Sequence, residues 1–133
     1  MRRKVILDVD PGRDDAVAIM LAALSPEIDL LGVSVTHGNR PLNVTVPNAL
    51  RVVNWLKLDI PVYRGAEEPL LSFIDPQRRD PKWIYDLIET IEGSDLDLPA
   101  TTSQPQDQHA VSWLIETLMS SNGDIVLCPV GPM

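Results

Sequence analysis

The sequence predicts an α/β fold, a mostly parallel sheet with helices on both faces. Three observations point there. Short β-branched and aliphatic runs alternate along the chain with stretches whose apolar residues recur at helical spacing. The strand-like runs end in turn residues: Pro11-Gly12, His37-Gly38-Asn39, Arg64-Gly65 and Gly131-Pro132. With 133 residues, 44% hydrophobic and 23% charged, the chain is also long and apolar enough for the core of one domain. Strand, helix and strand in repetition imply right-handed crossovers, which bury a parallel sheet between helical layers.

Val5–Val9 is a buried strand turned by Pro11-Gly12, so Asp8 and Asp10 stand at its C-terminal end. Arg13–Leu24 carries Ala16, Ile19, Met20, Ala23 and Leu24 on one helical face and is stopped by Ser25-Pro26. Asp14 and Asp15 then occupy its first turn, where unpaired N–H groups favour anions. Ile28–Thr36 is a second strand. The next helix is expected from Val46 to Lys57, with Thr45 as its cap, Pro47 in its first turn and Val46, Ala49, Leu50, Val53 and Leu56 facing inward. Ile60–Tyr63 is a third strand.

Residues 66–82 hold Pro69, Pro76 and Pro81 among several charges and read as an excursion over the surface. Trp83–Ile91 recovers a helical face in Ile84, Leu87, Ile88 and Ile91, and residues 92–106 are loop again. Asp107–Ser121 is a helix with Val111, Leu114, Ile115, Leu118 and Met119 sharing a face, ended by Asn122-Gly123. Asp124–Val130 is the fourth strand. No internal repeat, low-complexity tract or linker divides the chain.

Eleven basic against nineteen acidic residues give a formal charge of -8. That charge repels phosphate backbones and anionic lipid, so neither nucleic acid nor a membrane surface is an expected partner. The basic Met1–Lys4 is followed by only Val5–Leu7 before Asp8 interrupts, too short for a signal-peptide core. No stretch approaches the roughly 20 apolar residues of a membrane span. The single cysteine, Cys128, cannot form an intrachain disulfide and reads as a small core residue in a reducing compartment. A soluble, cytoplasmic protein is expected.

The chemistry concentrates in Asp8-Val9-Asp10-Pro11-Gly12-Arg13-Asp14-Asp15, where four carboxylates fall within eight residues. Like charges at this density repel unless a cation sits among them, and hard carboxylate oxygens suit Mg2+ or Ca2+, with Ca2+ favoured if backbone carbonyls complete a larger shell. The plainer alternative makes Asp14 and Asp15 helix N-terminal anions and leaves Asp8 and Asp10 in a solvated turn. In an open α/β sheet, ligands bind beyond the carboxyl ends of the strands, which here also supply Thr36–Asn39 and Val130-Gly131.

Asp8 to Ala16, Asp-Val-Asp-Pro-Gly-Arg-Asp-Asp-Ala, closely resembles the N-terminal signature of the inosine-uridine type nucleoside hydrolases, Asp-x-Asp-x-Gly-x-Asp-Asp-Ala. The likeness continues through Gly38-Asn39, Asn-Ala-Leu-Arg-Val at Asn48–Val52, Ile-Pro-Val-Tyr-Arg-Gly-Ala at Ile60–Ala66 and Pro-Val-Gly-Pro at Pro129–Pro132. The resemblance implies a Rossmann-like nucleoside hydrolase fold, truncated, with residues 1–133 as the N-terminal portion of a single domain. It implies hydrolysis of the N-glycosidic bond of a purine or pyrimidine ribonucleoside to ribose and free base. By the same resemblance Asp10 is both a Ca2+ ligand and the general base that takes a proton from a water held by the metal. Asp15 ligates through its carboxylate and Val130 through its carbonyl, Asp14 holds ribose hydroxyls, Asn39 lines the ribose pocket and Asp8 supports the loop.

Family chains are about twice this long, and their second half adds a metal-binding Asp, a His linked to leaving-group activation and further ribose and base contacts. Many also carry a His-Gly stretch where this chain has Glu92-Gly93-Ser94-Asp95. Of the two histidines, His37 reads as a turn residue beside the site and His109 as structural. Little or no turnover by this chain alone is therefore expected, together with self-association, as a homo-oligomer or otherwise, through apolar surface and a sheet edge. Two other readings stand beside the hydrolase. One is a non-catalytic remnant that binds a cation or ribose. The other is a haloacid-dehalogenase-like phosphatase, which also ends its first strand in Asp-x-Asp but continues differently. A receiver-type domain is not favoured, because no lone phosphoacceptor Asp closes a later strand here.

Overall fold

A computed structural model of the chain describes residues 1–72, 74–75, 82–92 and 96–132. Four strands, β1 (Arg3–Val9), β2 (Ile28–Val35), β3 (Val62–Arg64) and β4 (Ile125–Pro129), form one sheet in the order β3-β2-β1-β4. Each pairing is parallel. The helices are α1 (Arg13–Leu24), α2 (Leu42–Trp55), α3 (Lys82–Glu92) and α4 (Ala110–Met119). The chain steps from β1 outward to β3, then returns to lay β4 on the other side of β1. The direction of travel therefore reverses at β1.

Alternation along the strands separates the two faces of the sheet. Val5, Leu7, Val9, Val33, Val35 and Val62 point into a core shared with Ala16, Ile19 and Ala22 of α1 and Val46, Ala49 and Val53 of α2. Ile6 and Gly32 point the other way, toward α4, whose buried Trp113 lies against Gly32. A β-carbon at Gly32 would stand 2.8 Å from the Trp113 ring and 3.2 Å from the Pro61 carbonyl. A glycine is what lets that indole reach the sheet, at the point where the β1–β2 register skips Leu31. The ring also stacks on Tyr63, centroids 3.9 Å apart.

Several expectations need correction. Helix α2 begins at Leu42, a turn before Val46, with Pro41 rather than Thr45 preceding it. Thr45 is fully buried inside the helix and its hydroxyl donates to the Thr36 carbonyl (3.0 Å), so a residue suited to capping serves a tertiary contact instead. Pro47 consequently lies well inside α2, where it has no N–H to donate to the carbonyl one turn back, on exposed Asn43. Helix α4 starts at Ala110, not Asp107, with the His109 ring accepting from the Val111 N–H (3.2 Å).

The apolar face of α4 is only partly covered: Val111, Ile115 and Met119 are exposed and Leu114 and Leu118 half-buried, while Ala110 and Trp113 are buried. Helical periodicity locates an apolar stripe but does not say what covers it, and Trp113 outweighs the aliphatic row by filling the space above Gly32. On α1, Leu24 is likewise exposed while Ala16 and Ile19 are buried. On α3, Leu87 is exposed and Ile88 half-buried; the Ile84 and Ile91 side chains and the Gly93–Asp95 stretch lie outside the described residues.

Candidate active site

The site forms where the winding reverses, beyond the C-terminal end of β1 and between the tips of β2 and β4, the crevice that parallel sheets use for ligands. Asp8, Val9 and Asp10 leave β1 in sequence. The Val9 carbonyl accepts from the Thr36 N–H on the β2 side (2.9 Å), and the Asp8 carbonyl accepts from Val130 (2.9 Å) and Gly131 (3.0 Å) on the β4 side. Gly131 is required at close quarters, since its β-carbon would meet the Val9 carbonyl carbon at 3.1 Å and the Asp10 nitrogen at 3.3 Å. The Asp8 carboxylate accepts from the Ser34 hydroxyl (2.5 Å). Asn48 of α2 donates to the Pro11 carbonyl (3.0 Å), fixing the turn that reverses β1 into α1.

Asp10 and Asp15 are both buried, each 5% exposed, and backbone N–H groups hold them. Asp10 Oδ2 accepts from the Asn39 N–H at 2.6 Å, and Asp15 Oδ2 accepts from the Asp10 N–H at 2.7 Å. Asp15 reaches inward from the first turn of α1, where Gly12 precedes the helix without a side-chain cap. Asp14, one residue earlier, is exposed and borders the cleft with Asp10, Asn39 and Val130. The structure thus gathers Asp10, Asp14, Asn39 and Val130 around one cleft of about 520 Å3, with Asp15 behind Asp10 and Asp8 bracing the strand tips.

Burial pushes the Asp10 carboxyl up to about 7, assisted by the neighbouring Asp15 and Asp14 charges and opposed by the Asn39 N–H. Asp15 is raised for the same leading reason, burial, and Asp8 is raised by burial against the Ser34 hydroxyl. Carboxylates that would be hard to ionise alone become easy to ionise beside a cation, and the available donors are all hard oxygens. Among the described residues no group of three His, Cys, Asp or Glu side chains stands close enough to hold a metal. Buried carboxylates with backbone carbonyls beside them would suit part of a Ca2+ shell of about 6–8 oxygens.

Several contributors escaped the sequence reading. Ser34 and Asn48 brace the site through partners 26 and 37 residues away in sequence, which no local pattern reports. Pro69 and Leu70, expected to lie in a surface excursion, line the cleft together with Tyr85 of α3, while Ser72 is buried. Arg40 is buried too, donating to the Tyr85 carbonyl (3.3 Å) and lying 3.8 Å from Glu89. His37 borders the cleft, its N–H bonded to the Ala66 carbonyl (3.0 Å), in keeping with a turn residue.

Comparison with known proteins decides the family. The sequence model of the inosine-uridine preferring nucleoside hydrolases matches residues 5–133. The chain belongs to that family. It is 44% identical to the pyrimidine-specific ribonucleoside hydrolase RihB of Escherichia coli O1:K1 / APEC over 135 aligned positions, 99% of this chain and 40% of that protein. RihB of Escherichia fergusonii matches to the same extent. Among solved structures, the plant nucleoside hydrolase PpNRh1 superposes with a TM-score of 0.82 at 30% identity, over 99% of this chain and 40% of that one. A purine-preferring ribonucleoside hydrolase from Gardnerella vaginalis superposes at 0.79 with 29% identity, over 98% of this chain and 40% of the other. This member of the nucleoside hydrolase family therefore spans about two fifths of the relatives it matches. Membership removes the phosphatase reading. Among the described residues no helix of this family member is long and apolar enough to cross a membrane.

Proposed function

We propose that the chain supplies the cation- and ribose-binding strand tips of a Ca2+-dependent ribonucleoside N-ribohydrolase. The observation that carries this is the pair of buried carboxylates, Asp10 and Asp15, each fixed by a backbone N–H at the reversal point of a nucleoside hydrolase sheet. Asp10, Asp15 and the Val130 carbonyl would hold the metal. Bound there, Ca2+ supplies the positive charge that acidifies the attacking water and orients vicinal hydroxyls.

Asp10 would take the proton from the attacking water. Its Oδ2 accepts from the Asn39 N–H, which leaves Oδ1 for that proton. Asp14, on the exposed rim, accepts from ribose hydroxyls, and Asn39 shapes the sugar side of the cleft. The negative charge of these groups also favours the oxocarbenium-like sugar that forms as the glycosidic bond breaks. Asp8 stays out of the chemistry and keeps the three strand tips in register. The lone, half-buried Cys128 is compatible with a cytoplasmic setting.

A second reading, cation and ribose binding without turnover, is favoured by the small donor set. One experiment separates the two: titration of the chain with CaCl2 by calorimetry, paired with an assay for free base released from inosine and uridine, on the parent chain and Asp10→Asn. Turnover that vanishes in Asp10→Asn supports hydrolysis. Ca2+ binding with no released base supports the binding reading, and absence of Ca2+ binding refutes both.

A further inference from the structure

A second cleft, of about 370 Å3, runs between α2 and the strap of residues 100–105 and shares no lining residue with the cleft at the strand tips. Two arginines line it, Arg51 from α2 and Arg64 from the end of β3. Among the described residues none that lines it is acidic. In a chain with nineteen acidic against eleven basic residues, that is a local reversal of sign. Buried Val46 and Leu50 supply apolar lining, beside which a charge is less screened than on an open surface.

The strap is held in place against α2 and β3. The Gln106 N–H donates to the Val62 carbonyl on the outer edge of β3 (2.8 Å), and Leu96 and Leu98 pack against the core. Ser103 Oγ donates to Asn54 Oδ1 of α2 (3.4 Å), and Thr101 Oγ1 accepts from the Ser103 N–H (3.0 Å). Two hydroxyls and the Gln104 amide therefore line the same cleft as the guanidinium groups. Arg64 also pairs with Glu67 at 2.5 Å, but both side chains are exposed. A pair so placed is weak, and the guanidinium fork carries further N–H donors.

We propose that this second cleft is a phosphate-binding site, in which Arg51 and Arg64 grip a phosphate group and the strap residues Thr101, Ser103 and Gln104 serve the oxygens around it. The planar guanidinium fork matches phosphate oxygens in pairs, which a lysine ammonium cannot do. A ribonucleoside carries no phosphate, so the site is separate from the one at the strand tips and takes a different ligand. That ligand is a small phosphate, either the free ion or a sugar monoester.

The test titrates the chain in metal-free buffer with inorganic phosphate, D-ribose 5-phosphate and D-ribose, followed by NMR chemical shifts. Both phosphates should move the resonances of Arg51, Arg64 and residues 100–105, and D-ribose should leave them in place. Tighter binding of the ester assigns the site to a sugar phosphate, and equal binding assigns it to the free ion; either supports the site. Arg51→Ala with Arg64→Ala should weaken phosphate by about tenfold or more, the loss expected for hydrogen bonds to a charged group. Arg2→Ala with Arg3→Ala removes the same charge at the opposite end of the sheet and should leave the affinity unchanged. Arg51→Lys and Arg64→Lys keep the charge and spare the fold, and each should still weaken binding, because the fork is lost. Absence of phosphate-induced shifts at the cleft would overturn the proposal. So would an equal loss of affinity in the Arg2 and Arg3 control, or full affinity in both lysine variants.

Discussion

Replacing Gly38 by alanine tests the site at its tightest point. A methyl there would stand 2.5 Å from Asp10 Cγ and 2.7 Å from its Cβ, and would collide with Oδ2. Carbon atoms rest at about 3.5–4.0 Å, so the carboxylate must withdraw by about 1 Å. That movement breaks the 2.6 Å bond from the Asn39 N–H, the interaction that opposes the upward push on the Asp10 carboxyl. Hydrogen bonds to charged groups contribute about 1.5–3 kcal/mol, so Ca2+ affinity should fall roughly 10- to 100-fold and the melting temperature by several degrees. Gly123→Ala is the matched control. Gly123 has φ 76° and no atom within 4 Å of its would-be β-carbon, so alanine there should lower stability by about 1 kcal/mol through backbone strain alone and leave Ca2+ affinity as it was. Calorimetric titration with CaCl2 and thermal melts followed by circular dichroism read both quantities. Gly38→Ala matching the parent in both would refute the reasoning.

Other expectations follow from the same structure. The folded Asp10 carboxyl, at about 7, lies above its ordinary 3.8, so between those values the folded chain holds a proton that the unfolded chain has released. Stability in EDTA should therefore decline as pH rises from about 4 to 7, by a few kcal/mol in order of magnitude, with Ca2+ reversing the loss and Asp10→Asn reducing the slope to what Asp15 and Asp8 contribute; urea melts that stay flat or improve over that range contradict this. Trp113→Ala empties the space between α4 and Gly32 and removes the Tyr63 stack, so it should cost about 3–5 kcal/mol in chemical denaturation. Ile115→Glu with Met119→Glu places charge on exposed apolar positions of α4, and light scattering should show less self-association with the melting temperature unchanged. A chain already monomeric at all concentrations before the change would sink that last expectation.

The strands and α1 were legible because their signals are local. Val5–Val9 ends at Pro11-Gly12, Arg13–Leu24 matches the observed helix residue for residue, and the strand tips converge as any parallel sheet requires. The acid cluster was legible for the same reason, since four carboxylates within eight residues are a local pattern, and the strand tips bring Asp10, Asp14 and Asn39 to one cleft. What stayed hidden depends on distant partners. Thr45 has the chemistry of a cap and is claimed by the Thr36 carbonyl, and the α4 stripe is apolar whether or not anything covers it. Arg40 looks like a polar loop residue until α3, some 45 positions later, arrives to bury it. Leu70 and Tyr85 belong to stretches whose sequence says little, and only the fold brings them beside Asp10 and Asp14.

Asp8 has a consequence for how such a chain can change. Its carbonyl serves the β4 tip and its carboxylate serves Ser34 of β2, so the three strand ends are clasped from within the sheet. Those hydrogen bonds all come from β1, β2 and the tip of β4. The seat of the aspartates and the loops around it can therefore diverge at different rates, and substitutions in those loops should leave the aspartates where β1 puts them.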